Sequence, residues 1–252
     1  MFTNRLLGQS ALITGATSGI GKACALALDA LGVKLVLTGR SREKLDAVAT
    51  ELKGEAKLIE LDVRDRTAVE TNLSNLETDI LINNAGLALG LEPIDAGCID
   101  QWEEMIDANV KGLLSVSRAV IPRMRARNHG HIINLGSIAG KMVYPGGNVY
   151  CATKHAVAAL SEAMNIDLNG TAIRVSHIAP GAVQTAFSDT RFGGDRGRAE
   201  SVYAGYEPLR AEDIADLIVY VLNAPPHVNI QDALIMPTAQ RNPYIHHKEE
   251  PK

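Results

Sequence analysis

The chain has 252 residues, 46% of them apolar, with a formal net charge of -4 and a pI near 6.0. That is enough apolar material for one large core, and the mild acidity without any Lys/Arg block argues against nucleic acid or a membrane surface as a partner. No apolar run approaches the ~20 residues of a membrane span and no signal-type segment opens the chain, so a cytoplasmic protein is expected.

Short runs of apolar, often β-branched residues alternate with longer amphipathic segments, the pattern of parallel strands covered by helices on both faces. In chain order the pattern predicts a strand over 10–14, a glycine-rich turn and a helix over 20–31, then a strand over 34–38 and a helix over 42–52. A strand over 56–61 leads to a helix over 67–76, and a strand over 79–82 to a long helix over 102–127, bent at Pro122. Next come a strand over 131–135, a helix over 150–168 and a strand over 172–178. After an irregular stretch over 181–208, a helix over 212–222, a strand over 233–236 and a polar tail over 241–252 close the chain. The fold class is therefore α/β, a doubly wound parallel sheet of about seven strands. With no linker or repeat to divide it, one domain over 1–252 is expected. The stretch 181–208 is polar and rich in glycine. It follows the C-terminal end of a strand, so it is expected to be a mobile substrate loop overhanging the ligand crevice.

The three cysteines, Cys24, Cys98 and Cys151, lack CxxC pairing and read as small core residues, and the seven histidines are scattered. No metal site is expected.

The first strand runs directly into Thr14-Gly15-Ala16-Thr17-Ser18-Gly19-Ile20-Gly21. In this strand-turn-helix context Gly15 permits the tight turn, Gly19 lets the backbone approach a pyrophosphate, and Gly21 allows close helix packing. Thr17, Ser18 and Ile20 complete a loop whose N–H groups, at a helix start, attract an anion. This is the dinucleotide-binding turn of a Rossmann fold. An NAD-specific domain places an acid at the end of the second strand to bond the ribose 2′-hydroxyl. Here that position reads Gly39-Arg40-Ser41-Arg42, which offers two guanidinium groups and a hydroxyl to a 2′-phosphate, so NADP is the expected cofactor. The alternative, that Arg40 and Arg42 form only a solvated helix start, stays open.

Tyr150 and Lys154 lie four residues apart at the start of a helix, on one face. A free phenol is a poor base at neutral pH, and a nearby ammonium favours its phenolate, as general acid/base catalysis needs. Ser137, just after the strand over 131–135, can bond the same substrate oxygen, and Asn109, mid-helix, can support a water next to Lys154.

Together the TGxxxGxG turn, the run Asn83-Asn84-Ala85-Gly86, Ser137, and Tyr150 with Lys154 resemble the classical short-chain dehydrogenase/reductase family over essentially the whole chain. The resemblance implies a catalytic tetrad of Asn109, Ser137, Tyr150 and Lys154. It further implies that Asp62 and Val63 flank the adenine and that Asn84, Ala85 and Gly86 line the cofactor. Pro180, Gly181, Val183 and Thr185 would hold the nicotinamide. It also implies a homotetramer in which the helices from Trp102 and Tyr150 pack against partner copies, and the apolar face of Val157, Leu160, Met164 and Leu168 is compatible with that.

The segments 83–90 (NNAGLALG), 128–136 (NHGHIINLG), 146–150 (GGNVY) and 187–195 (FSDTRFGGD) are more closely similar to the NADP-dependent 3-hydroxy acid dehydrogenases. A small-molecule substrate with a carboxylate is then expected, with Arg191 as its bidentate partner. Ser137, Tyr150 and Asn148 would complete the substrate site, and Met142 and Tyr144 would help to shape it. An Arg191 paired instead with Asp189 or Asp195 stays open. So do a reductase of another carbonyl compound and, with an intact tetrad against it, a non-catalytic NADP(H)-sensing protein.

Overall fold

The computed structural model describes residues 3–248; the tail residues 249–252 lie outside the described residues. Seven parallel strands form one sheet in the order β3-β2-β1-β4-β5-β6-β7. They are β1 (Ser10–Ile13), β2 (Lys34–Gly39), β3 (Ala56–Glu60), β4 (Ile80–Asn83), β5 (Gly130–Leu135), β6 (Ile173–Pro180) and β7 (Asp232–Ile235). Each central strand is apolar on both faces, because helices cover both.

The two-residue period of the strands divides the core in two. Ala11, Ile13, Leu35, Leu37, Ile80, Ile82, Ile133 and Ile178 point to one layer, where they meet α1 (Gly19–Ala30), α2 (Arg42–Ala49) and α9 (Ala211–Leu222). The intervening Leu12, Val36, Leu81, Ile132 and Val175 point to the other, against α3 (Arg66–Leu73), α5 (Leu113–Arg127) and α6 (Asn148–Asp167). Pairing Leu12 with Val36 on one side and with Leu81 on the other locks β1 at the centre. The strand order reverses direction there, and this opens the crevice at the C-terminal edge of the sheet.

Local chemistry sets the ends. Ser41 accepts a hydrogen bond from the Lys44 N–H at the start of α2, and Asp65 does the same from Ala68 at the start of α3. Asn128 ends α5 in the left-handed conformation, φ 48°.

The long helix expected over 102–127 is three pieces: α4 (Ile99–Ile106), a π-helical segment (Asp107–Gly112) and α5. α5 runs unbroken through Pro122, so the irregularity lies at the π segment rather than at the proline. The stretch 181–208, expected as a loop, contains two short helices, α7 (Phe187–Arg191) and α8 (Arg196–Ser201). Gly193 and Gly194 fall between them, and Gly197 lies inside α8. The face of Val157, Leu160, Met164 and Leu168 is used inside the chain, where it packs on Val120, Ile132 and Val175 as part of the second layer. Cys24 and Cys151 are buried as expected, whereas Cys98 is exposed at the start of α4. Among the described residues, no helix is long and apolar enough to cross a membrane.

Candidate active site

A cavity of about 710 Å³ opens along the C-terminal ends of β1, β2, β4, β5 and β6, of a size that suits an extended small-molecule ligand. At its floor the glycine-rich turn leaves β1. Gly15 and Gly19 have φ of 65° and 52°, conformations that a side chain resists. Ser18 caps α1 without a side-chain hydrogen bond, and the first turn of that helix carries no acid. Its N-terminal dipole therefore faces the crevice without a compensating negative side chain. Gly21 does not line the cavity but packs against the Gly15 carbonyl and the Asn84 amide. Asn84 ties the turn to β4, its Nδ2 donating to Thr14 O at 2.9 Å and Gly15 O at 3.0 Å.

Of the three residues expected at the 2′-phosphate, only Arg40 lines the crevice. Ser41 is engaged as the α2 cap, and Arg42 Nε turns along α2 to Asp46 Oδ1 at 2.9 Å. An (i, i+4) acid was there to be seen in the sequence. In their place the cavity wall presents Lys44 and Arg64, both missed from the sequence, beside Asp62 and Val63.

Toward the other end Ser137, Tyr150 and Lys154 line the same cavity. Lys154 is buried, and its Nζ donates to Leu135 O at 2.9 Å and stands 5.9 Å from the centre of the Tyr150 ring. Burial pulls its pKa down to about 8. Burial likewise pushes the Tyr150 hydroxyl above its usual range, with Tyr144 acting in the same direction. The Ser137 hydroxyl and the Arg191 guanidinium oppose them. The cation expected to act on the phenol was Lys154; the cation that favours the phenolate here is Arg191.

Asn109 lies behind the cavity wall, at the π segment. Its amide pairs with the backbone of Leu87 in both directions, donating to Leu87 O at 2.8 Å and accepting from Leu87 N at 2.8 Å. Asn109 Nδ2 also reaches Thr153 Oγ1 at 3.1 Å. A π segment turns one residue out of α-helical phase, which is what aims Asn109 at this strand end. Gly86 fits between: a Cβ there would come within 2.8 Å of Asn109 Oδ1 and 3.8 Å of Lys154 Nζ.

Pro180, Gly181, Val183 and Thr185 line the crevice as β6 ends. From α7, Arg191 reaches over the site. Its Nη1 donates to Tyr144 Oη at 2.9 Å, its Nε to Gly90 O at 3.2 Å, and its guanidinium carbon stands 5.5 Å from the centre of the Tyr150 ring. Nη2 is buried and, among the described residues, has no hydrogen-bond partner. Of the two suggested competitors, Asp195 accepts from the Arg198 N–H instead, and the Asp189 side chain lies outside the described residues. Asn148 points away from the cavity, donating to Glu92 O at 2.9 Å, and Met142 is exposed outside it. Tyr144 takes part in the wall together with Phe187, Gln240, Pro243 and His246. These come from three separated segments, and nothing in a linear reading brings them together. Among the described residues, no group of three or more His, Cys, Asp or Glu could hold a metal ion.

A parallel sheet with a switch-point crevice, a glycine turn at a helix start and guanidinium groups at the far end define a dinucleotide-binding α/β protein of Rossmann type. Residues 9–194 match the short chain dehydrogenase family model, and the chain belongs to that family. It is 46% identical over 235 residues to NADP-dependent 3-hydroxy acid dehydrogenase YdfG of Escherichia coli (strain K12), covering 91% of this chain and 95% of the relative. It is 42% identical over 237 residues to sulfoacetaldehyde reductase 2 of Chromohalobacter salexigens, covering 91% and 94%. Among solved structures, the closed form of a serine dehydrogenase complexed with NADP+ superposes with a TM-score of 0.91 at 44% identity, over 96% of this chain and 100% of that one.

Proposed function

We propose that this chain, an NADP-dependent oxidoreductase acting on a CH–OH group, moves a hydride between NADP(H) and a small 3-hydroxy acid or its 3-oxo partner, of the serine, allo-threonine or malonic semialdehyde type. When bound, the cofactor supplies or accepts the hydride. The glycine turn and the start of α1 suit its pyrophosphate, and Arg40 suits its 2′-phosphate. Tyr150 Oη, protonated at neutral pH because it is buried, is placed to give a proton to a carbonyl oxygen and to take it back from the alcohol. Ser137 donates to the same oxygen. Lys154 supports Tyr150, and Asn109 holds the Leu87 backbone and Gly86 in place behind Lys154.

The substrate class rests on one observation: the Nη2 of Arg191, buried and without a partner among the described residues, in a guanidinium already fixed over the Tyr150 ring. A buried cationic donor without an acceptor is costly, and a carboxylate on the carbon next to the carbinol would satisfy it. The two named relatives carry an acid group in the words of their names, a hydroxy acid and a sulfoacetaldehyde. Turnover followed by NADPH absorbance, with serine and 3-hydroxypropionate against uncharged alcohols of the same size, tests this. Arg191→Ala should raise KM for the acids by about tenfold or more and leave the uncharged alcohols unchanged. An unchanged KM for the acids removes the reading.

The assembly is proposed to be a homotetramer, with exposed Ile106 and Leu114 along α4 and α5, and Ile166 on α6, available for contact between copies. Three unpaired cysteines fit the reducing cytoplasm.

A further inference from the structure

At the end of the crevice remote from Tyr150, two guanidinium groups from different strand ends converge on one carboxylate. Arg64 Nη1 lies 2.8 Å from Glu104 Oε1, and Arg40 Nη1 lies 4.0 Å from the same oxygen. Arg64 is not free to wander. Its Nε bonds both oxygens of Asp62 at 3.0 Å and its Nη2 bonds Asp62 Oδ2 at 2.6 Å, so one whole edge of the fork is held by its own turn. Nη1 is the end left over, and Glu104 takes it. Arg40, Lys44 and Arg64 all line the cavity, whereas Glu104 stands behind them on α4, with 35% of its side chain exposed and room to move.

Resting on the NADP reading, we propose that Arg64 is a second guanidinium for the 2′-phosphate of the cofactor. On the same proposal, Glu104 is a built-in carboxylate that occupies this place until the phosphate takes it. A 2′-phosphate carries close to two negative charges at neutral pH and cannot share a guanidinium pair with a carboxylate 4 Å away without strong repulsion. Glu104 must therefore give way, and its departure frees Arg64 Nη1 while Asp62 keeps the rest of the guanidinium in position. Asp62 thus orients Arg64, and Glu104 sets how much a 2′-phosphate gains over a 2′-hydroxyl.

The test is isothermal titration calorimetry of the full chain with adenosine 2′,5′-bisphosphate and adenosine 5′-monophosphate, a pair that differs only in the 2′-phosphate and needs no turnover. Arg64→Gln should weaken the bisphosphate by about tenfold or more and leave the monophosphate within about twofold. Glu104→Gln should tighten the bisphosphate severalfold and leave the monophosphate unchanged. Equal losses for both ligands in Arg64→Gln would assign Arg64 to the fold or to the adenine and overturn the proposal. An unchanged bisphosphate-to-monophosphate ratio in both variants overturns it too. A wild-type chain that binds both ligands equally overturns the NADP preference itself, and the proposal with it. Hydride transfer and the Arg191 result are untouched by any of these outcomes.

Discussion

The imidazole of His177 stands against Gly136 so closely that its Nε2 fills the space a Cβ on residue 136 would need. His177 is itself fixed, with Nδ1 2.7 Å from Asp232 Oδ1, and Lys141 Nζ closes on the other oxygen of that carboxylate. The turn resting on this ring is the one that offers Leu135 O to Lys154 and Ser137 to the crevice. Gly136→Ala should therefore cost about 1–3 kcal/mol in urea unfolding and lower kcat more than it raises KM. Adding His177→Ala should return part of the lost stability, and a double-mutant cycle without coupling would refute the contact as the cause.

Asn109 serves as a piece of backbone. By pairing with both polar groups of Leu87 it does for that residue what a neighbouring strand would do. Asn109→Ala leaves a buried N–H and a buried C=O unpaired, and the expected cost is about 1–3 kcal/mol for each group that water cannot reach. Asn109→Asp should be worse, because a carboxylate cannot donate to Leu87 O. Urea midpoints for the two variants decide this, and equal stability of Asn109→Ala and wild type would exclude it.

Tyr150→Phe removes one oxygen from a side chain that is 8% exposed and leaves the cavity wall in place. The expected outcome is a fall in kcat of about 10²- to 10⁴-fold with NADP+ affinity within about twofold of wild type. Turnover above a tenth of wild type would reassign the proton-transfer role to another group.

His131, at the start of β5, carries a pH dependence of stability. Burial, reinforced by Arg174, holds its pKa down at about 3, against 6.5 in an unfolded chain. Between these values the unfolded state takes up a proton that the native state refuses, so stability falls as pH drops from 6.5 toward 3. The slope from this residue is about 1.4 kcal/mol per pH unit, and above pH 6.5 its contribution is complete. His131→Asn should flatten the acid limb of a stability-against-pH curve by close to that slope, whatever it costs at neutral pH. An unchanged limb would show that His131 is not the group responsible.

Much of this architecture was legible because the strands carry their own signal. The apolar run over 131–135 becomes the inner part of β5, and the period-2 alternation of Leu35, Val36 and Leu37 assigns each side chain to its layer. The glycine turn and the Tyr150/Lys154 spacing are local patterns, and the fold brings them to one cavity. What stayed hidden depended on contacts across the chain. Nothing near Arg64 in sequence announces Glu104, forty positions away. The Val157, Leu160, Met164 and Leu168 face looks the same whether it meets a partner or the sheet. The helices inside 181–208 are each too short for a periodic signal to accumulate.

The π segment has a consequence for how the chain tolerates insertion and deletion. An added residue in one helical turn leaves the flanking α4 and α5 about 100° out of rotational step, and the chain uses that offset. Met105 and Ala108 meet the cluster around Tyr150, while Val116, Val120 and Met124 meet the sheet. Removing any one residue between Asp107 and Gly112 would give a smoother helix with better hydrogen bonds and a worse protein, since only one of those two sets could then face inward. This stretch is thus a fixed phase shift, in which residue types can be exchanged but residues cannot be counted differently.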